Sequence, residues 1–212
     1  MSKMTDIAVI GLTGQSGAGK TTVCKVFDEN GFAIINADKI AREIMYKDSP
    51  CLKELTECFG SDILKENGEL DRQKLAGIVF KDSEKLKQLN AISYPYITFE
   101  ILEKIKYYAS QGEHCVLLDA PTLFESRADD FCDLIISVTA TEKVRTSRIA
   151  QRDGLTPEQI KERFSSQHTE KFFVNHSDFI IKNNKSVESL VEKATEVAEK
   201  IKEYFKNAEK AW

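Results

Sequence analysis

Five short apolar runs punctuate the chain: Ile7–Leu12, Ala33–Ile35, Cys115–Leu118, Leu134–Val138 and Phe179–Ile181. Each is too short for a stable helix and rich in aliphatic residues, so each predicts a buried strand. Between them the apolar positions step by three and four. Near-continuous apolar strands alternating with such segments predict an α/β protein, a five-stranded parallel sheet covered by helices on both faces. The clearest amphipathic stripe is Val187, Leu190, Val191, Ala194, Val197, Ala198, Ile201 and Tyr204, a long C-terminal helix. Two helix starts carry local signals. Thr139 with Glu142 predicts a capping box before "KVRTSRIAQR". Thr156, Pro157 and Gln159 predict the cap, first and third positions ahead of "IKERFSSQ".

The spacing of the strands is uneven. About eighty residues separate the second from the third, far more than a crossover needs. The stretch 44–110 is therefore expected to be an inserted helical subdomain within one domain spanning 1–212. A second insert, 152–175, is polar and charged and lies between strands four and five. The last residues, "KNAEKAW", are expected to fray.

Composition narrows the classes. The chain has 212 residues, 42% hydrophobic and 30% charged, which suits a packed domain with a well-solvated surface. A net charge of −4 argues against broad nucleic-acid or membrane-surface binding. No apolar stretch approaches the roughly 20 residues of a bilayer span. The start "MSKMTD" has no signal-peptide pattern. Five scattered cysteines without a CxxC pair predict reduced thiols in a cytoplasmic protein, and three histidines show no metal-ligand spacing. A monomer is expected.

The first strand opens into "GQSGAGKT": Gly14, Gln15, Ser16, Gly17, Ala18, Gly19, Lys20 and Thr21, followed by Thr22. This is the pattern G-x-x-x-x-G-K-[ST]. Glycines let the backbone curl so that its N–H groups point at phosphate oxygens. Lys20 reaches the β/γ-phosphates, the Thr21 hydroxyl can ligate Mg²⁺, and the helix that begins here adds its positive end. The loop predicts the three-layer fold of P-loop NTPases, a bound phosphate chain and Mg²⁺ as cofactor.

Other residues are placed at the same sheet edge, where ligands of such folds gather. Asp38 follows strand two in "IINADKIAR". It can take a proton from an attacking hydroxyl, help hold Mg²⁺, or simply cap the next helix. Arg42, four residues on, can bind substrate or pair with Asp38. Asp119 ends strand three in "VLLDAPTLFE" and is either a Mg²⁺-linked carboxylate or a strand-end turn; Leu123 and Phe124 can pack on a ligand. Arg145, Arg148 and Arg152 share one helix face. They read as a lid offering charge to a phosphoryl group or as a solvated face. Arg163 and Lys171 are weaker candidates.

Together these stretches resemble the dephospho-coenzyme A kinase family over nearly the whole chain. The resemblance runs through "GLTGQSGAGKTTV", "NADKIAR", "GELDRQKLAGIVF", "LNAISYPYI", "DAPTLFE", "RIAQR" and "SDFIIKNN". It implies phosphorylation of the ribose 3′-hydroxyl of dephospho-coenzyme A by ATP, the last step of coenzyme A synthesis. It implies Asp38 as base, Lys20 as phosphate clamp and Arg148 as a catalytic charge. It also implies Arg148, Arg152 and Asn183 with the loop around ATP, and the inserted helical region with Arg42, Tyr94, Pro95, Asp119, Leu123 and Phe124 around the acceptor. Three positions depart from the family pattern: Asn36 where an acid is usual, Tyr94 where a histidine is usual, and Thr122 where an apolar residue is usual. A tyrosine ring can stack or hydrogen-bond but does not titrate near neutral pH.

Other classes weighed against this are a nucleoside or nucleotide kinase with the same core, and a non-catalytic sensor of ATP or coenzyme A. A GTPase switch is disfavoured by the lack of an N-K-x-D segment and of a D-x-x-G after strand three.

Overall fold

The computed structural model describes residues 7–209. Of the "KNAEKAW" end, expected to fray, residues 206–209 are still helical and the rest lies outside the described residues, as does the "MSKMTD" start.

All five apolar runs form strands: β1 (Ala8–Gly14), β2 (Ala33–Asn36), β3 (Cys115–Asp119), β4 (Leu134–Thr139) and β5 (Phe179–Lys182). They make one sheet in the order β2-β3-β1-β4-β5. β1 pairs in parallel with β3 and β4, and β4 with β5. The nine α-helices among the described residues are α1 (Lys20–Glu29), α2 (Ala37–Glu43), α3 (Pro50–Phe59), α4 (Arg72–Val79), α5 (Ser83–Ser110), α6 (Glu142–Asp153), α7 (Pro157–Ser165), α8 (Glu170–Asn175) and α9 (Val187–Glu209).

Two compact units form. One holds the described residues up to Ile35 and from Ile105 onward; the other is Asn36–Lys104. In the first, Ala8, Ile10 and Leu12 of β1 are buried with Val23 and Phe27 of α1 and Leu190, Ala194, Ala198 and Ile201 of α9. That is the predicted C-terminal stripe, buried as the period requires. On the other face of β1 a Cβ at Gly11 would lie 2.9 Å from Leu123 Cδ2 and 2.8 Å from Cys132 Sγ. Glycine there lets the 120–132 connection press against the sheet.

The second unit is helical. It buries Ile40, Leu52, Leu55, Ile63, Leu75, Val79 and Ile101. Its helices start on identifiable caps: Ser49 accepts from Leu52 N ahead of Pro50, and Asp71 accepts from Gln73 N and Lys74 N.

The two predicted helix starts fare differently. At α7 the Thr156–Gln159 capping box is complete, with Pro157 at the first position. The Thr139–Glu142 box is not formed. Thr139 is the last residue of β4 and fully buried, and α6 starts after Thr141, whose side chain makes no capping bond. The apolar run before Thr139 carries the strand through it, and ladder pairing with Lys182 overrides the local signal.

Candidate active site

β1 does not release the chain at its last residue, because Gln15 N still bonds Val138 O of β4 at 3.1 Å. The backbone then turns, with Ala18 N bonded to Gln15 O at 3.0 Å. Two glycines make this path possible. Gly14 has φ +150 and a Cβ would stand 2.3 Å from Val138 O; Gly19 has φ +105 and a Cβ would stand 2.5 Å from Asn183 Nδ2. A larger residue at either collides. Past Gly19, α1 begins, and the N–H groups of Gly17, Gly19, Lys20 and Thr21 have no partner among the described residues. They are orphan donors of a helix start, aligned with its positive dipole end, and they suit phosphate oxygens.

Lys20 Nζ donates to Asp119 Oδ1, and Asp119 is only 5% exposed. The pair joins the start of α1 to the end of β3, so Asp119 does stand beside the loop. Cys24, one helical turn after Lys20, also bonds the Asp119 carboxylate. Burial, reinforced by that negative charge, pushes its thiol up to about 11. It stays a neutral donor at neutral pH. The exposed Thr21 hydroxyl and the Asp119 carboxylate are hard oxygen donors of the kind Mg²⁺ takes, alongside phosphates and waters. Among the described residues no cluster of three or more His, Cys, Asp or Glu could hold a metal by itself.

Asn183, expected as an ATP ligand, is buried and used inside the protein. Its Nδ2 donates to Ala18 O at 2.8 Å, and its Oδ1 accepts from Arg148 Nη2 at 3.1 Å. It braces the loop. Arg148 also donates to Asn183 O at 3.2 Å and to Gly17 O at 3.5 Å, so its guanidinium is fixed at the loop's edge.

The three arginines share a face but not a target. Arg145 is buried, donates to Ala140 O at 3.2 Å and stacks 4.0 Å over the Phe164 ring. It ties α6 to α7 and is not free to meet an anion. Arg152 is exposed and forks onto Asp153 at 2.7 and 2.9 Å; Arg163 joins the same carboxylate at 2.6 Å. These hydrogen bonds hold the Asp153 carboxyl well below the usual carboxylate range.

Leu123, expected to pack on a ligand, is fully buried and lies close to Gly11 of β1. Phe124 is half-buried in an aromatic group, edge-on to Phe172 at 5.1 Å. Thr122 is exposed, and its carbonyl accepts from Ser126.

In the second unit the cap of α2 is Asn36, whose side chain accepts from Lys39 N at 2.7 Å. That gives the departure at Asn36 a structural role. It also leaves Asp38 free of capping: exposed in the first turn, its carboxylate bonds no described residue. Arg42, in the last turn of α2, is exposed and forms no ion pair with Asp38. Tyr94 is half-buried and Pro95 exposed, both within α5.

One contact had no signal in the sequence. Gln167, between α7 and α8, accepts from Ser16 N at 3.1 Å. A side-chain oxygen thus occupies one of the loop's N–H groups, and a phosphate must displace it. Removing it in Gln167→Ala is expected to tighten ATP binding about three- to tenfold, the worth of one such hydrogen bond. Titration calorimetry checks this; an unchanged Kd means that Gln167 does not compete.

This arrangement defines a P-loop phosphotransferase. The family is narrower. A family model of dephospho-CoA kinase matches residues 8–189, and the chain belongs to that family. The dephospho-CoA kinase of Carboxydothermus hydrogenoformans is 38% identical over 199 residues, covering 94% of this chain and 97% of its own. A crystal structure of a Thermus thermophilus protein superposes with a TM-score of 0.79 at 27% identity, covering 92% of this chain and 97% of that one. The dephospho-CoA kinase structure from Campylobacter jejuni gives a TM-score of 0.64 at 28% identity, with 92% and 98% coverage. The α/β fold and the kinase class expected from the sequence both hold. Among the described residues no helix is long and apolar enough to cross a membrane.

Proposed function

We propose that this kinase transfers the γ-phosphoryl group of ATP to the ribose 3′-hydroxyl of dephospho-coenzyme A, giving coenzyme A and ADP. The observation that carries the reading is the set of open N–H groups of Gly17, Gly19, Lys20 and Thr21, beside the Lys20 ammonium, within a chain that matches the dephospho-CoA kinase family over residues 8–189. A bond forms between the 3′-oxygen and the γ-phosphorus. The bond from that phosphorus to the β–γ bridging oxygen breaks, and ADP leaves. Asp38 accepts the hydroxyl proton. The loop and Lys20 hold the β- and γ-phosphates, and Arg148 adds positive charge as the phosphoryl moves. Mg²⁺ would sit with Thr21 and Asp119 and supply charge neutralisation on the phosphates.

The 152–175 segment acts as a lid that excludes water, which otherwise competes as acceptor. Arg42, Tyr94 and Pro95 face the acceptor. Five free thiols suit a reducing cytoplasm, and the enzyme works there as a monomer.

The test is an acceptor panel with Mg²⁺–ATP: dephospho-coenzyme A, adenosine, uridine and nucleoside monophosphates, read as phosphorylated product. Dephospho-coenzyme A is expected to lead in kcat/KM by about 100-fold or more. Preference for a nucleoside monophosphate would overturn the reading. Tight binding of both ligands without transfer would turn it toward a sensor.

A further inference from the structure

Asp119 is tied to the sheet by its backbone and to α1 by its side chain. Its Cα pairs with Leu12 of β1, and Ala120 N donates to Leu12 O at 3.0 Å, so the main chain there is fixed. The ladder does not fix the carboxylate. Rotation of a carboxylate about its last bond is soft, with a broad two-fold preference in place of three sharp wells. Donors therefore decide which oxygen faces the phosphate loop.

Two such donors come from one face of α1. Lys20 and Cys24 stand one helical turn apart and meet the same buried carboxylate. They differ in reach. Lys20 carries its ammonium on a flexible four-carbon stem with three N–H donors, and it is the group that turns toward phosphates when a nucleotide enters. Cys24 has a short stem and packs against the core cluster that holds Val23 and Phe27. It stays where it is. Burial, together with the charges of Asp119 and of Asp28 one turn on, pushes its thiol up to about 11 although Lys20 pulls the other way. The S–H keeps its proton at neutral pH and can only donate to the carboxylate.

We infer that Cys24 is a positioning residue: its S–H holds the Asp119 carboxylate in place while Lys20 turns to the phosphates, so that one oxygen stays presented to Mg²⁺. The inference rests on the Mg²⁺ role read for Asp119 above. A buried carboxylate has little water at hand to replace a lost donor. Mg²⁺ demands nearly octahedral geometry, so a ligand oxygen that rotates away weakens the site. Alanine at position 24 leaves the carboxylate free to rotate once Lys20 moves. Serine there supplies an O–H donor on the same short stem. Cys24 acts through Asp119 alone.

The test measures ADP binding by titration calorimetry, with and without Mg²⁺, for wild type, Cys24→Ala, Cys24→Val, Cys24→Ser and Asp119→Asn. The ratio of the two affinities is the gain that Mg²⁺ brings. Cys24→Ala is expected to cut that gain about threefold or more, and Cys24→Ser to keep more of it than Cys24→Ala does. Affinity for ADP without Mg²⁺ is expected to stay where it was in both. Cys24→Val fills the space without a donor, so it repeats the alanine result should Cys24→Ala fold poorly. A packing role alone moves the melting curve and leaves the gain untouched, so a smaller cut in the donor-free variants overturns the inference. An equal loss in Cys24→Ser overturns it too, because the sulfur would then be filler and no donor. Asp119→Asn separates the two readings. If it keeps the full gain, or if wild type shows none, the Mg²⁺ role of Asp119 falls and the inference with it. If it loses the gain while the donor-free variants keep it, only the inference falls.

Discussion

Lys20→Ala is expected to lower kcat for ATP-dependent phosphorylation by about 10²–10³-fold, the usual cost of removing a charge aimed at a transferring group. The variant also leaves Asp119, 5% exposed, without its cation. Removing one partner of a buried pair costs about 3–5 kcal/mol. The variant should therefore melt earlier as well as turn over slowly, and the two effects need separating. Adding Asp119→Asn removes the stranded charge. The double variant is expected to regain much of the thermal midpoint and none of the turnover. Single-turnover kinetics with a melting curve for each protein read both quantities. A kcat within tenfold of wild type in Lys20→Ala would remove Lys20 from the chemistry.

Asp38→Asn makes the complementary case. The carboxylate is exposed, bonds no described residue and is not the cap of α2, because Asn36 is. The substitution should therefore leave the melting curve where it was. As a general base, Asp38 contributes about 10²–10⁴-fold, so kcat is expected to fall by that amount with little change in KM for either substrate. Near-normal turnover would assign the rate to positioning and charge alone, which phosphoryl transfer permits in principle.

Much of this was readable from residue order. Buried parallel strands need continuous apolar runs, and the five runs became the five strands. The phosphate loop is local chemistry in a contiguous stretch, so Gly14, Gly19 and Lys20 carry their reasons in the sequence. The contacts that residue order did not announce share one cause, which is a partner far along the chain. Arg145 sits on the arginine face by spacing, but Phe164 on the next helix claims it. Leu123 follows a motif that resembles a substrate loop, but Gly11 opens a space beneath it. Asn183 reads as a ligand residue, but Ala18 O and Arg148 take both ends of its amide. Thr139 matched a capping pattern that strand pairing overrode. Gln167 gave no signal, because nothing near it hints that Ser16 N lies in reach.

The brace at Asn183 has a consequence for synthesis. The nucleotide loop spans residues 14–21, yet its shape depends on an amide that follows the last strand in the chain, β5. The helical unit Asn36–Lys104 is one unbroken stretch, synthesised in full well before residue 183. The loop must wait for nearly the whole chain. Competence to bind ATP therefore arrives late in translation, and a chain on a ribosome stalled before residue 183 lacks the brace of its nucleotide loop.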